Sequence, residues 1–260
     1  MSKIEFVSKN KENNRSIFLL KDVTPALANA VRRTIMDSVP TIAIENVELS
    51  DNSSALYDEM IAHRLGLVPL TTDLKSYTLP EKCKCNGEGC GRCTVKLVLK
   101  AKGPGYVYAS DLKSKDPAVK PVYPEMIIAK LLKNQELILE ATAVLGKGSQ
   151  HVKFSPGLVW YNYKPTITVN NNYSKFEEFK DKYPQKAFKD GKIDKKLIEE
   201  NNLYDACDGI NDDIVKIEYD PSTFVFNIEP WGQLTPKEML TEAFNVLNEK
   251  LQELDEKLGK

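Results

Sequence analysis

Four of the five cysteines in this chain lie within eleven residues, and they are the residues best suited to chemistry. They are Cys83, Cys85, Cys90 and Cys93. Zinc binds four thiolates at the corners of a tetrahedron, each about 2.3 Å from the ion. The three glycines inside the segment let the backbone turn tightly enough to present the sulfurs. Lys84 and Arg92 would offset the negative charge of such a site. The spacing therefore predicts a zinc site in the loop 83–93.

Two other uses of these cysteines remain open from the sequence. The pair Cys83 and Cys85 has one residue between its cysteines, which is less usual for zinc than two. Two disulfide bonds could form instead, although a reducing cytosol disfavours them outside hyperthermophiles. An iron–sulfur cluster is the third alternative, because it also takes cysteine thiolates.

No catalytic site is indicated elsewhere. Gly146-Lys147-Gly148 resembles a phosphate-binding loop, but Ala141 replaces the first glycine and no Ser or Thr follows the lysine. The two histidines, His63 and His151, have no nucleophile motif beside them, and we expect both to be structural, held by backbone partners. The sequence thus predicts a protein without catalytic residues of its own.

Composition narrows the class of protein. The chain has 260 residues, with 36 Lys and Arg against 37 Asp and Glu. A nearly neutral chain is not expected to bind nucleic acid by itself. There is no apolar run of about 18 residues that could span a membrane. We expect a soluble protein of the cytoplasm, or of the nucleus if the source is eukaryotic.

The two ends of the chain have similar patterns. Apolar runs at residues 4–7 and 17–20 predict a hairpin, and Thr24-Pro25 begins a helix. Four residues at four-residue spacing should form the buried face of this helix: Leu27, Val31, Ile35 and Val39. Arg32 and Arg33 lie off that face.

At the other end, runs at residues 214–219 and 224–229 predict two strands joined by a turn at 220–223, which contains Pro221. A capping box at 235–238 then begins a helix. Its apolar positions recur at spacings of four and three: Leu240, Phe244, Leu247, Leu251, Leu254 and Leu258. A stripe of this length favours a contact with another chain over part of the helix. The alternative is a core helix packed wholly on its own sheet.

Together the patterns predict an α+β fold. Residues 1–41 and 214–260 would form a discontinuous domain in which helices cover an antiparallel sheet. Residues 42–165 would be an inserted β-rich domain, with strands at 42–49, 95–101, 137–144 and 159–163 and helices at 56–67 and 123–132. Residues 166–213, rich in Lys, Asp and Asn, would be a small additional insert.

Three segments carry a resemblance to a known family: residues 59–70, residues 28–35 with 39–44, and residues 151–156. The first contains His63, Arg64, Gly66 and Pro69. These segments resemble motifs of the assembly subunits of cellular RNA polymerases, which are the bacterial alpha subunit, the eukaryotic third-largest subunit and their archaeal counterpart. The archaeal branch is the one we expect here.

The resemblance implies a non-catalytic assembly platform. The discontinuous domain would pair with a small alpha-like subunit, which is subunit L in archaea, through the helix that carries Leu240 to Leu258. Arg32 and Arg33 match positions where the large catalytic subunits dock, and nucleic acid would be met only through the complex. The eukaryotic relative has a similar zinc loop, with a middle gap one residue shorter.

The resemblance also bears on the insert 166–213. Many archaeal relatives place a ferredoxin-like module with iron–sulfur clusters in this region. Here Cys207 is its one cysteine, so we expect a degenerate module without a cluster.

The alternative function from another class is an autonomous zinc- or redox-regulated binding protein. A hydrolase or transferase with an undetected site is a third. A polymerase subunit should co-purify with very large partners, and the alternatives should not.

Overall fold

A computed structural model describes residues 3–10 and 14–259. The strands are β1 Lys3–Lys9, β2 Ser16–Lys21, β3 Thr41–Asn52, β4 Thr94–Lys102, β5 Gly105–Tyr108, β6 Lys113–Ser114, β7 Ile127–Leu131, β8 Glu136–Gly146, β9 Gly157–Val169, β10 Phe188–Lys189, β11 Lys192–Ile193 and β12 Val215–Pro230. The helices are α1 Pro25–Asp37, α2 Asp58–Gly66, α3 Phe176–Phe179, α4 Lys195–Glu200, α5 Tyr204–Cys207 and α6 Pro236–Leu258. The fold is mixed, with several antiparallel sheets and few helices.

The chain divides into two compact units, and each is described by itself. The first comprises Met1–Val7, Phe18–Ala28 and Tyr161–Phe226. The second comprises Ser8–Ile17, Asn29–Trp160 and Asn227–Lys260. Among the helices of the described residues, none combines the length and apolar character needed to cross a membrane.

One sheet has the strand order β1-β2-β12-β9. The predicted pairing of the first two strands is confirmed, since β1 and β2 are neighbours and Asn10 N donates to Arg15 O at 2.8 Å. The centre of their connection, residues 11–13, lies outside the described residues. Every residue of β1 is exposed, as expected for an edge strand.

The runs at 214–219 and 224–229 are strand as predicted, from Val215 onwards, but the turn predicted between them at 220–223 is wrong, because β12 runs through the whole segment. It has 16 residues and lies between β2 and β9 in the sheet. Pro221 has no N–H to donate to a neighbouring strand. Hydrogen bonds from the Thr223 side chain and the Ser222 backbone lower the pKa of Asp220 to about 2.

The second unit contains a sheet in the order β3-β8-β4-β6 and a hairpin-like pair, β5 and β7. The strands predicted at 42–49, 95–101 and 137–144 are confirmed as β3, β4 and β8, and the one at 159–163 lies within β9. Side chains of β8 alternate between buried and half-buried along its length, which is the period of a strand. The buried residues include Ile42, Leu97, Leu99 and Leu139, which form the core of this unit.

The helix predicted at 123–132 is wrong. Residues 127–131 form β7, which pairs antiparallel with β5. Ile128 and Leu131 are buried and Ile127 is exposed. A short apolar run fits a helix or a strand equally well. Here the segment is a strand because it pairs with β5.

The other predicted helices are confirmed, with corrections to their faces. In α1, Val31 and Ile35 are buried as expected, as is Val39 just beyond its end, but Leu27 is exposed. In α2, the buried residues are Ile61 and Leu65. Met60 and the following Leu67 are both exposed, although both are apolar.

The helix α6 begins with the predicted capping box. Glu238 N donates to Thr235 Oγ1 at 3.3 Å, and the Glu238 carboxylate accepts from Thr235 N at 2.8 Å. In the first unit, α3 to α5 and the pair β10 and β11 pack with residues of β9 and β12 around a small core, with Phe176, Tyr183 and Cys207 among its buried residues.

Candidate metal centre and partner surfaces

The cysteine loop lies between a short 3₁₀ helix, Pro80–Lys82, and β4. It makes two tight turns, in which Asn86 N donates to Cys83 O at 3.0 Å and Glu88 N donates to Cys85 O at 3.1 Å. Gly87 and Gly89 have φ values of 87° and 91°, a region that glycine enters without steric cost. The glycine-rich sequence thus folds the loop so that its thiols converge.

The four sulfurs lie within 4.8 Å of one another. Cys83 Sγ is 3.5 Å from Cys90 Sγ, Cys85 Sγ is 3.5 Å from Cys93 Sγ, and Cys90 Sγ is 3.9 Å from Cys93 Sγ. A tetrahedral site with ligands at about 2.3 Å places its sulfurs about 3.8 Å apart. A disulfide would need about 2.05 Å, and all four thiols are free. The spacing fits one tetrahedral metal ion, and the thiolate ligands are compatible with zinc.

The thiols differ in their electrostatic surroundings. Hydrogen bonds from the Cys83 thiol and the backbone N–H of Gly89 lower the pKa of Cys85 to about 6. Burial raises the pKa of Cys93 to about 12. Its sulfur accepts a hydrogen bond from Cys90 N at 3.3 Å, as a ligating thiolate would. A metal ion bound here must displace the protons that remain, above all the one on Cys93.

Cys207 does not belong to this group. It is fully buried in the small core of the first unit, and burial raises the pKa of its thiol. Within residues 3–10 and 14–259, no second group of three or more metal-binding side chains is found. Cys207 thus behaves as a small apolar core residue.

The apolar stripe of α6 divides into two parts. Leu240 is buried, and Phe244 and Leu247 are half-buried. Leu251, Leu254 and Leu258 are 59%, 50% and 75% exposed. Intramolecular packing therefore accounts for the first half of the stripe and leaves the second half open to solvent.

The two arginines of α1 have different surroundings. The Arg32 guanidinium binds Asn29 Oδ1 through two nitrogens, at 3.0 and 2.9 Å, and is half-buried. Arg33 is exposed, and its distance to Asp37 is 3.9 Å, a weak surface pair. Arg33 borders a polar hollow with Ser149 and Lys250. Of the two, Arg33 is the one available to a partner.

The residues of the polymerase-like motif have mainly structural surroundings. Arg64 Nη1 donates to Ile128 O at 2.9 Å and so joins α2 to β7. Pro69 O accepts from Val122 N at 2.9 Å, and Gly66 lies close to Ile44 O. His63 is exposed.

His151 fits the expectation of a structural histidine. Its Nδ1 accepts from Lys153 N at 3.1 Å and caps the 3₁₀ helix Val152–Phe154.

The structure also contains a groove that the sequence did not predict. It has a volume of about 300 Å³. Its lining residues are Leu67, Pro69, Tyr123, Met126, Val152, Lys153, Trp231 and Gln233. They come from four separate segments of the second unit, and no single segment has a spacing that would reveal them. The convergence of residues 59–70 and 151–156 on one place was the available sign.

The sequence matches known proteins over nearly its whole length. Residues 42–159 match the family model of the RNA polymerase Rpb3/RpoA insert domain. The chain is 38% identical over 244 residues to the DNA-directed RNA polymerase subunit Rpo3 of Methanosarcina acetivorans, covering 91% of each chain. It is 35% identical over 254 residues to the protein of the same name from Methanosphaera stadtmanae, covering 93% of this chain and 94% of the relative. The corresponding values for Pyrococcus furiosus are 35% over 260 residues, 96% and 95%.

These matches include the three segments that resembled RNA polymerase assembly subunits, and they confirm that resemblance. Identity of 35–38% across both units and the cysteine loop cannot come from a single shared module. The chain belongs to the Rpo3 family of DNA-directed RNA polymerase subunits.

Proposed function

We propose that this chain is the assembly platform of a DNA-directed RNA polymerase, which pairs with a small alpha-like subunit and recruits the two large catalytic subunits. The observation that carries the pairing is the open half of the α6 stripe, where Leu251, Leu254 and Leu258 face solvent. Obligate interfaces are large and apolar, and a solvent-exposed row of leucines on a long helix is a surface of this kind. The polymerase would act in the cytoplasm, or in the nucleus of a eukaryotic source.

Our proposal also assigns a domain to each of these tasks. In our proposal, residues 1–41 and 214–260 form the pairing domain, and 42–165 form the inserted domain, of which 42–159 match the insert-domain family. Residues 166–213 form a small module that holds no iron–sulfur cluster. The cysteine loop binds one zinc ion, which ties residues 83–93 to the start of β4 and serves structure only.

Nucleotidyl transfer would then belong to the large subunits, and this chain would contribute none of the reacting groups. The autonomous zinc- or redox-regulated binding protein is not supported, because the relatives that span the whole chain are polymerase subunits by name. Nucleic acid would be contacted only through the complex.

Purification of the tagged chain from its own cells tests this function. Under low-salt conditions it should elute in a complex of several hundred kilodaltons that contains two very large polypeptides and has RNA polymerase activity. A size near the 29.3 kDa of the free chain would contradict the proposal.

Docking of the large subunits should depend on Arg33 more than on Arg32. Changing both to Ala should leave the heterodimer folded but reduce recruitment of a catalytic subunit. Arg33→Ala alone should give most of this loss, about tenfold, without lowering the Tm, because its pair with Asp37 is weak. Native mass spectrometry of the reconstituted complex measures recruitment. Lower thermal stability with normal recruitment would instead indicate an intramolecular role.

A further inference from the structure

The four thiols of the cysteine loop form two close pairs, and each pair has one thiol near solvent. Cys85 is half-buried, and its sulfur lies 3.5 Å from that of the buried Cys93. Cys90 is half-buried, and its sulfur lies 3.5 Å from that of the buried Cys83. An accessible thiol with a second thiol directly behind it is the arrangement of a reversible redox site, because the second thiol can resolve the oxidised first one.

The other ways of pairing the thiols fit the geometry less well. The sulfurs of Cys90 and Cys93 are 3.9 Å apart, farther than in either close pair. Joining these two would also leave Cys83 to pair with Cys85 across a single residue, where the backbone has little freedom to reach disulfide geometry. The close pairs are therefore the ones we expect to form disulfide bonds.

Only a small movement separates the thiol pairs from disulfide bonds. Each pair, at 3.5 Å, would have to shorten by about 1.5 Å to reach the usual S–S length of about 2.05 Å. The three glycines of the loop permit such a shift. The turns of the loop are closed by backbone hydrogen bonds, such as those from Asn86 N to Cys83 O and from Glu88 N to Cys85 O, which do not depend on a metal ion. The same loop can thus be closed by a metal or by two disulfides.

The cysteine loop also lies away from the proposed pairing surface of α6. Lys82, just before the loop, contacts Glu249 of α6, with 3.4 Å between Nζ and Oε2. At 3.6 residues per turn, Glu249 lies about 160° around the helix from Leu251. A partner that covers the leucine stripe therefore leaves the loop side of α6 open, and a small oxidant can reach the half-buried thiols in the heterodimer.

We propose that the cysteine loop is a reversible redox site, which exchanges its zinc ion for the disulfide bonds Cys83–Cys90 and Cys85–Cys93 when it meets hydrogen peroxide. In each pair the half-buried sulfur attacks one peroxide oxygen, so that an S–O bond forms, the O–O bond breaks and hydroxide leaves. The buried sulfur then attacks the oxidised sulfur, so that the S–S bond forms, the S–O bond breaks and a second hydroxide leaves. Each pair gives two electrons to one peroxide. The proposal rests on the proposed zinc ion, and because the disulfides close the same loop, its structural role persists in both states.

Titration of the reduced, zinc-loaded full chain with hydrogen peroxide tests the exchange. A chromogenic chelator, too weak to remove zinc from the reduced protein, follows the release, and a thiol reagent counts the free cysteines. Release should be complete at about two peroxides per chain. Free thiols should fall from five to one, which is the buried Cys207, and dithiothreitol with zinc should restore the starting state. Cys207→Ala is the matched control, and its zinc should be released with the same stoichiometry, since Cys207 lies in a separate core.

Digestion of the oxidised chain identifies the pairing. Lys84, Glu88 and Arg92 each lie between two neighbouring cysteines, so trypsin with a glutamate-specific protease places the four cysteines on four separate peptides. After free thiols are blocked in acid, the predicted pairing joins the first peptide to the third and the second to the fourth. Each other pairing gives linked peptides of different mass and would overturn the assigned disulfides. Peroxide-treated polymerase should yield the same two linked peptides, and their absence there would overturn the accessibility of the loop in the complex.

The starting zinc content separates failure of this proposal from failure of the zinc assignment. A reduced chain without zinc would overturn both. Zinc that is retained at a tenfold excess of peroxide, or released without disulfide bonds, would overturn the redox proposal alone. Failure of the chain to join the polymerase would instead overturn the proposed assembly function and leave these results unchanged.

Discussion

A chain carrying Leu251→Asp and Leu254→Asp is expected to fold normally and to lose its small alpha-like partner. Both leucines are at least half exposed, so neither carboxylate is buried in the free chain. In the heterodimer both would be removed from water without a partner charge, at several kcal/mol each. The expected result is affinity at least a thousandfold lower, which is about 4 kcal/mol. Size-exclusion chromatography with light scattering at micromolar concentration measures it.

The same helix offers a matched control. At about 100° per residue, positions 245 and 252 lie on the side opposite the leucine stripe. Both are exposed, and Asn245→Asp with Gln252→Asp adds the same charge. This variant should pair like the wild type. If the leucine variant also pairs normally, the assignment of the stripe to the partner is wrong.

The prediction of α6 from sequence succeeded because its information is local. The capping box Thr235 to Glu238 defines the first turn, and leucines at spacings of three and four define the face. The sequence could not show where burial ends along that face, since this depends on how far the rest of the fold extends beside the helix. The structure places the change between Leu247 and Leu251.

The failed predictions share one cause, which is pairing with a distant segment. Residues 127–131 have an apolar pattern that suits either regular structure, and β5, about twenty residues earlier, makes them a strand. Pro221 is typical of a turn, but β12 continues past it beside β9. In both cases the local conformational preference of the sequence contributes less to stability than the backbone hydrogen bonds with the neighbouring strand.

The two candidate sites differ in the same way: one depends on residues close in sequence, and the other on residues from distant segments. The four cysteines are close in sequence, so their spacing alone predicted that the thiols would converge, and the distances of 3.5–3.9 Å agree. The groove joins Leu67, Tyr123, Val152 and Trp231 from segments that meet only after folding. No periodicity within one segment could have identified it.

Replacing one ligand should abolish metal binding by the cysteine loop. Protein purified under reducing conditions should contain about one zinc per chain, and Cys90→Ser should contain almost none, because three thiolates and a hydroxyl bind zinc far more weakly. Elemental analysis after dialysis measures the content. Cys207→Ala is the control, since Cys207 is buried in a separate core, and its zinc content should stay near one per chain.

Loss of the metal should destabilise the structure only near the cysteine loop. Cys93 is fully buried just before β4 and is hydrogen-bonded within the loop. Without the ion, residues 78–93 should therefore exchange amide hydrogens faster, while α6 keeps its protection. The Cys90→Ser chain should therefore still form the heterodimer. The loaded protein should be colourless, because Zn²⁺ has a filled d shell. A brown protein that absorbs visible light and loses its colour in Cys90→Ser, but not in Cys207→Ala, would show iron in this loop and contradict the zinc assignment.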